Sequence, residues 1–185
     1  YGNEICDTLT QLGWKVEVEA QTGSFVEFGL KVLGQRLEDG WDTAVVFLGT
    51  NYDGNQKNYE KKMRQIFEGL APTPFVVLTT AMFKPRQQEV NDVIMKLASE
   101  FPNVTVLDWG AIAANNGLIG KDGIHLTADG RSVFAAAIAR ALEFAPTREG
   151  ECLPIYFKSD APVPNVMPDE TVPVSTDTST PDADE

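Results

Sequence analysis

The sequence predicts an α/β domain built on a parallel sheet with helices on both faces. Three observations predict it. Apolar, strand-like runs alternate with helical ones at the spacing of βα units. Two of those runs, "TAVVFLG" and "TPFVVLTT", are apolar nearly throughout, as strands buried on both faces are. Polar, glycine-rich segments follow three of the strands, at the carboxyl edge where such sheets bind ligands.

The elements follow in order. "NEICDTLTQLG" reads as a helix stopped by Gly13. "WKVEVEA" alternates like a strand. "SFVEFGLKVLGQRLEDG" is helical in part, and "TAVVFLG" is a buried strand ending at a glycine. "NQKNYEKKMRQIFEGL" is an amphipathic helix that turns Ile66, Phe67 and Leu70 inward. "TPFVVLTT" is a second buried strand, "QQEVNDVIMKLASEF" a helix and "NVTVLDW" a strand. The alanine-rich helix in "TADGRSVFAAAIARALEF" closes the domain. No internal repeat interrupts this series.

Composition bounds the function. A chain of 185 residues, 43% hydrophobic and 23% charged, suits one globular domain with a proper core. The formal net charge of −12 makes nucleic acid and anionic membrane surfaces poor partners, since both are polyanionic and would be repelled. No apolar run approaches the ~18 residues of a membrane helix. The chain starts at Tyr1, and no signal peptide is read from it. From residue 159 onward it is rich in Pro, Ser, Thr and acids, with no Lys, Arg or aromatic residue. Such a segment buries too little apolar surface to offset its ordering entropy, so a disordered tail is expected over 159–185. The domain is placed at 1–150 and a short extension at 151–158. Seven of the 27 acids lie in the tail, which leaves the domain itself only mildly acidic.

Cys6 and Cys152 lie near opposite ends of the folded part. With a single histidine they are too few for a zinc site. They either form a disulfide tying the first helix to the segment after the last one, or are two unrelated buried thiols.

Three local patterns carry chemistry. In "GKDGIHLTADGR", Asp122 precedes His125, the one histidine, by three residues in a glycine-broken loop. That carboxylate can hold the Nδ1 proton and leave Nε2 free to accept a proton from a nucleophile. The plain alternative is a surface histidine beside a helix-start aspartate. In "LGTN", Gly49 permits a sharp turn after an apolar strand, and the Asn51 amide can face a developing oxyanion. The alternative there is ordinary turn chemistry. In "QTGS", the Gly23 N–H can serve as a second oxyanion donor, or Gly23 is a loop glycine and nothing more.

Taken together, "VEVEAQTG", "VVFLGTN" and "LDW…KDGIHLTADG" resemble the SGNH hydrolases, or GDSL-type esterases, over roughly residues 1 to 145. "NVTVLDWGAIAANN…DGIHLTADGRSVFAAAIARAL" is similar to the SGNH domains found alone or behind the membrane part of cell-surface acyltransferases. The resemblance implies a flavodoxin-like α/β/α sandwich. It implies His125 as base, Asp122 as its partner, and Gly23 and Asn51 in the oxyanion hole. It implies an acylated small molecule or glycan as substrate, no metal or organic cofactor, an extracellular or cell-surface location, and a membrane domain upstream as a possible attachment.

The departure from the family is its first block, a strand followed by Gly-Asp-Ser that carries the nucleophile. Nothing in the chain matches it. Tyr1 and Gly2 look like residues just after that serine, so the strand and serine are expected upstream of residue 1. Ser24 stands in the wrong block, Ser132 lies inside the final helix and Ser99 at the end of another, so none of them replaces that serine. The missing strand is central in the family's sheet, so the chain is expected either to hold a cleft or to close its sheet differently. Two other functions compete with the esterase or acyltransferase. One is a non-catalytic SGNH-like module that binds a glycan or a partner. The other is a flavodoxin-like nucleotide or flavin binder, although no glycine-rich phosphate loop is visible.

Overall fold

The computed structural model describes residues 2–114 and 117–154. The tail expected over 159–185 lies outside the described residues. Helix α1 spans Gly2–Thr10 and leads to strand β1, Lys15–Val16. Helix α2, Val26–Arg36, ends in a 3-10 turn over Leu37–Asp39. Strand β2 is Ala44–Val46, helix α3 Gln56–Leu70, strand β3 Phe75–Leu78, helix α4 Gln87–Glu100 and strand β4 Val104–Leu107. A short helix α5, Trp109–Ala113, precedes α6, Ala128–Leu142, and strand β5 is Glu151–Cys152. All strand pairs are parallel, and the architecture is the mixed α/β one that the alternating pattern predicts.

Side chains cap the helices where the backbone needs acceptors. Asn55 Oδ1 accepts from Asn58 N–H at the start of α3, and Thr127 Oγ1 accepts from Gly130 N–H at the start of α6. Asp108 opens α5 in the same way through Ala111 N–H. The sequence reading assigns no helix to "WGAIA". That helix is five residues long and owes its existence to this cap and to the burial of Trp109.

Strand β3 separates two cores. Phe75 and Val77 point into a cluster with Met63, Phe67 and Ile94, covered by α2, α3 and α4. Val76 and Leu78 point into a cluster with Leu9, Trp109 and Phe134, covered by α1, α5 and α6. The alternation along one strand therefore builds the three layers. All four residues of β3 are buried, each contributing about 1.5–3 kcal/mol of hydrophobic stabilisation.

The sheet, however, is split. Strands β2, β3 and β4 form one parallel sheet in that order, and β1 pairs only with β5. Two sequence expectations are corrected here. "WKVEVEA" contributes just two strand residues, Lys15 and Val16, because among the described residues β1 pairs with β5 alone and with no strand on the β2 side. "TAVVFLG" is only partly buried. Val45 is 38% exposed, whereas Val76, its register partner on β3, is 3% exposed. The difference arises because Val45 borders the gap between β1 and β2, where a cavity of about 510 Å³ lies. Glu17 lines it, and burial, with Glu19 alongside, pushes its carboxyl up to about 7 in spite of the adjoining Arg36 guanidinium.

A disulfide joins Cys6 on α1 to Cys152 on β5, with the Cα atoms 5.7 Å apart. Strand β5 belongs to the stretch set apart above as an extension, and its pairing with β1 ties that stretch to the sheet. The hydrogen bonds from Glu151 N–H to Trp14 O (3.1 Å) and from Leu153 N–H to Val16 O (2.8 Å) complete this attachment.

Candidate active site

The loop between α5 and α6 is folded on itself before it presents any side chain. Ile119 and Leu126 form an antiparallel bridge, and Gly120 N–H donates to His125 O at 2.7 Å. Thr127 N–H donates to Leu118 O at 3.0 Å, fixing the loop to the start of α6. Gly130 makes this possible: a Cβ there would stand 1.9 Å from Leu118 O. The close approach of loop and helix therefore requires glycine.

Within this loop Asp122 is the organiser. Its Oδ1 accepts from the backbone N–H groups of Ile124 (2.9 Å) and His125 (3.0 Å). Its Oδ2 lies 2.6 Å from His125 Nδ1. The hydrogen bond from His125, followed by the two backbone N–H groups, holds the Asp122 carboxyl down to about 2. An ionised carboxylate only accepts, so Nδ1 carries the proton, and in the neutral imidazole Nε2 is then the acceptor. The His125 side chain is 73% exposed, which leaves Nε2 open to an incoming group. A titration of the Asp122 carboxyl carbon by NMR is expected to show a midpoint near 2, and His125→Ala is expected to raise it toward the ordinary carboxylate value because the largest cause is removed. An unchanged midpoint in the variant refutes the Asp122–His125 bond.

Gly23 and Asn51 form the second group. Gly23 lies in the turn after β1 at φ 73°, and Asn51 in the loop after β2. Asn51 Nδ2 donates to Ser24 O at 3.2 Å, so the two segments meet and the carboxyl ends of β1 and β2 lie at one edge. One N–H of the Asn51 amide is engaged by this bond, and the second remains for a further acceptor. Gly49 has φ 118°, and a Cβ there would stand 2.5 Å from Val90 Cγ1, so the turn into Asn51 admits glycine alone. Among the described residues no hydrogen bond links the Asp122–His125 pair to the Gly23–Asn51 pair.

Several supporting residues escape the sequence reading. Gln87 is fully buried and donates from Nε2 to Gly49 O at 2.9 Å. Tyr59 OH donates to Leu48 O at 2.9 Å, and Tyr52 OH bonds to Glu89. These three contacts clamp the loop that carries Asn51. Burial, with Glu89 adding to it, raises the Tyr52 hydroxyl well above its usual range, so it stays a donor. Thr79 Oγ1 donates to Asp108 Oδ1 at 2.7 Å and accepts from Gly110 N–H at 2.9 Å. Asn91 holds Thr80 through both its backbone groups, at 2.8 and 3.0 Å. The only sequence signals were polar residues set inside apolar runs, "VVLTT" and "EVNDVI".

Solved structures share this fold. A lipase/acylhydrolase from Enterococcus faecalis superposes with a TM-score of 0.63 at 17% identity, over 76% of this chain and 83% of that one. The C-terminal catalytic domain of the peptidoglycan O-acetyltransferase A of Streptococcus pneumoniae, solved with a methylsulfonyl adduct, gives 0.62 at 20% identity, over 76% and 87%. A Clostridium thermocellum family 3 carbohydrate esterase gives 0.58 at 17%, over 76% and 87%. No family model and no curated protein matches the chain. The chain therefore has the α/β fold of SGNH-type esterases and acyltransferases. Among the described residues no helix is long and apolar enough to cross a membrane.

Proposed function

We propose that this chain carries the base and oxyanion side of an SGNH-type serine ester hydrolase or O-acyltransferase, acting on ester-linked acyl groups of a cell-surface glycan. The observation that carries the reading is the 2.6 Å contact between His125 Nδ1 and an Asp122 carboxylate that two backbone N–H groups already hold in place. The base is thus oriented before any substrate arrives.

The nucleophile is a serine outside this chain, on a strand that fills the sheet. Its Oγ attacks the ester carbonyl carbon while His125 Nε2 takes the hydroxyl proton. The carbonyl oxygen becomes an oxyanion held by the Gly23 N–H and the free N–H of the Asn51 amide. Collapse breaks the bond to the alcohol, which leaves with the proton from Nε2. Water, or a sugar hydroxyl, then attacks the acyl-serine by the same proton path in reverse. Asp122 stabilises the imidazolium in both halves. The Cys6–Cys152 disulfide supports a location outside the reducing cytosol.

A second reading, the non-catalytic binding module, is favoured by the state of the helical serines. Ser99 Oγ donates to Lys96 O and Ser132 Oγ to Ala128 O, each inside its own helix. One experiment separates the two. The chain is extended at its amino end by an apolar strand ending in Gly-Asp-Ser, and p-nitrophenyl acetate hydrolysis and fluorophosphonate labelling are measured. The extended protein is expected to turn over ester and to be labelled at the added serine, while the 185-residue chain does neither. A folded extended protein with no turnover and no label refutes the enzyme reading and leaves the binding module.

A further inference from the structure

We propose that the loop joining β3 to α4 forms the specificity wall of the site. Lys84 on this loop, together with Lys121 of the histidine loop, selects an ester whose alcohol part is a sugar carrying a carboxylate or a phosphate. The inference deepens the enzyme reading: it rests on that reading for the reaction and adds the class of substrate. The binding that tests it does not depend on catalysis.

The loop covers residues 79–86, between the end of β3 at Leu78 and the start of α4 at Gln87. It follows a strand of the parallel sheet, so it lies at the same carboxyl edge as the segments that follow β2 and β4. Both halves of the candidate site touch it. Gln87 Nε2 donates to Gly49 O at 2.9 Å, which joins one end of the loop to the turn before Asn51. Phe83 meets the other half: a Cβ added to Gly123, between Asp122 and His125, would stand 3.1 Å from Phe83 Cβ. The loop therefore connects two pairs of residues that no hydrogen bond links among the described residues.

Its backbone is pinned from α4. Asn91 accepts from Thr80 N–H at 2.8 Å, donates to Thr80 O at 3.0 Å and reaches Met82 Sδ at 3.6 Å. Met82 nevertheless stays 51% exposed, Phe83 is half-buried and Lys84 is exposed. Lys84 Nζ stands 5.7 Å from the centre of the Phe83 ring. An aromatic ring with an ammonium group beside it suits a charged sugar. The ring takes the C–H groups of the sugar, and the ammonium takes its anion.

Charge points the same way. The chain carries a net charge of −12, yet among the described residues neither Lys84 nor Lys121 has a carboxylate partner. Nearby carboxylates are engaged: Asp122 by His125, Asp108 by Thr79 and Glu89 by Tyr52. Lys121 directly precedes Asp122 and is exposed. The loop that holds the base thus has two open ammonium groups beside it, while its acids are taken.

The reaction fixes which part of the substrate these groups meet. His125 Nε2 hands its proton to the departing alcohol, so the alcohol part lies on the His125 side, with Phe83, Lys84 and Lys121. The carbonyl oxygen lies on the other side, with Gly23 and Asn51. Arg86, at the far end of the loop, acts on Tyr52 beside Asn51 and belongs to that second side.

The probes are methyl 2-O-acetyl-glucuronoside, methyl 2-O-acetyl-glucoside 6-phosphate and the neutral methyl 2-O-acetyl-glucoside. Each is titrated into the 185-residue chain and followed by amide NMR. The two anionic sugars are expected to bind about three- to tenfold more tightly than the neutral one at low salt, the scale of one or two exposed ion pairs. Shifts are expected to centre on residues 82–84 and 121–125. The preference is expected to vanish at about 0.5 M salt, which screens exposed charges, and in the protein carrying both Lys84→Ala and Lys121→Ala. It is expected to persist in Lys61→Ala, which removes an exposed charge from α3. Equal binding of the three probes, a preference that survives the double substitution, or shifts centred elsewhere overturns the proposal. The tighter of the two anionic sugars identifies the group selected. The enzyme reading is tested apart, in the chain completed by a strand ending in Gly-Asp-Ser. There the anionic esters are expected to show a lower KM at similar kcat. If the completed protein releases acetate from none of the probes while the preference holds in the 185-residue chain, the enzyme reading falls and the anion subsite stands, in a binding module.

Discussion

In the chain completed by a strand ending in Gly-Asp-Ser, His125→Ala is expected to lower kcat for p-nitrophenyl acetate by roughly 10⁴–10⁶-fold, the scale on which serine hydrolases lose their base. His125 is the chain's sole histidine, so no neighbour can take over proton transfer near neutral pH. Asp122→Asn is expected to cost on the order of 10⁴-fold. The amide keeps an acceptor for the Ile124 and His125 N–H groups, so the loop should stay folded. It can also donate to Nδ1, which stabilises the tautomer that blocks Nε2. Asn51→Ala is expected to cost about 10²–10³-fold in kcat, as loss of one oxyanion donor does. The order of the three variants is itself informative. A binding module gives three equal rates, and a rate unchanged in a folded His125→Ala protein removes His125 from the chemistry.

Replacing Cys6 and Cys152 together by Ala is expected to lower the unfolding free energy by about 2–5 kcal/mol. The bond closes a loop with a sequence separation of 146, near the upper end of what chain-entropy arguments allow. For a domain of this size that loss corresponds to a fall in Tm of about 4–20 °C. The effect has a local component, because β5 is two residues long and one of them is Cys152. Without the bond, β5 is held to β1 only by a few backbone hydrogen bonds. Early release of residues 145–154, seen as fast amide exchange at Glu151 and Leu153, should precede global unfolding. Urea unfolding of the double variant and of the native chain, with and without dithiothreitol, measures this. Reductant is expected to shift the native midpoint to that of the variant. Coincident midpoints for the oxidised native chain and the variant contradict it.

The amino-acid sequence by itself determined the features that depend on neighbours along the chain. The helices over 56–70, 87–100 and 128–142 are legible because apolar residues recur at helical spacing and the caps Asn55 and Thr127 lie beside them. The run "FVVL" is legible as a doubly buried strand because nothing polar interrupts it. The Asp122–His125 bond is legible for the same reason: three residues and a glycine turn bring the groups together without help from the rest of the fold. Only the tertiary structure decided what joins distant segments. Asn51 reaches Ser24 across 27 residues, and Gln87 reaches Gly49 across 38. No local pattern encodes such contacts, since they follow from which strand ends share an edge. The extent of "WKVEVEA" was decided there too. Its alternation describes a strand, but a strand forms only as far as a partner supplies hydrogen bonds, and the described residues supply one on the β5 side alone. The cavity has the same origin, because its walls come from α1, β1, α2, β2, α3 and α6, which meet only when the sandwich is packed.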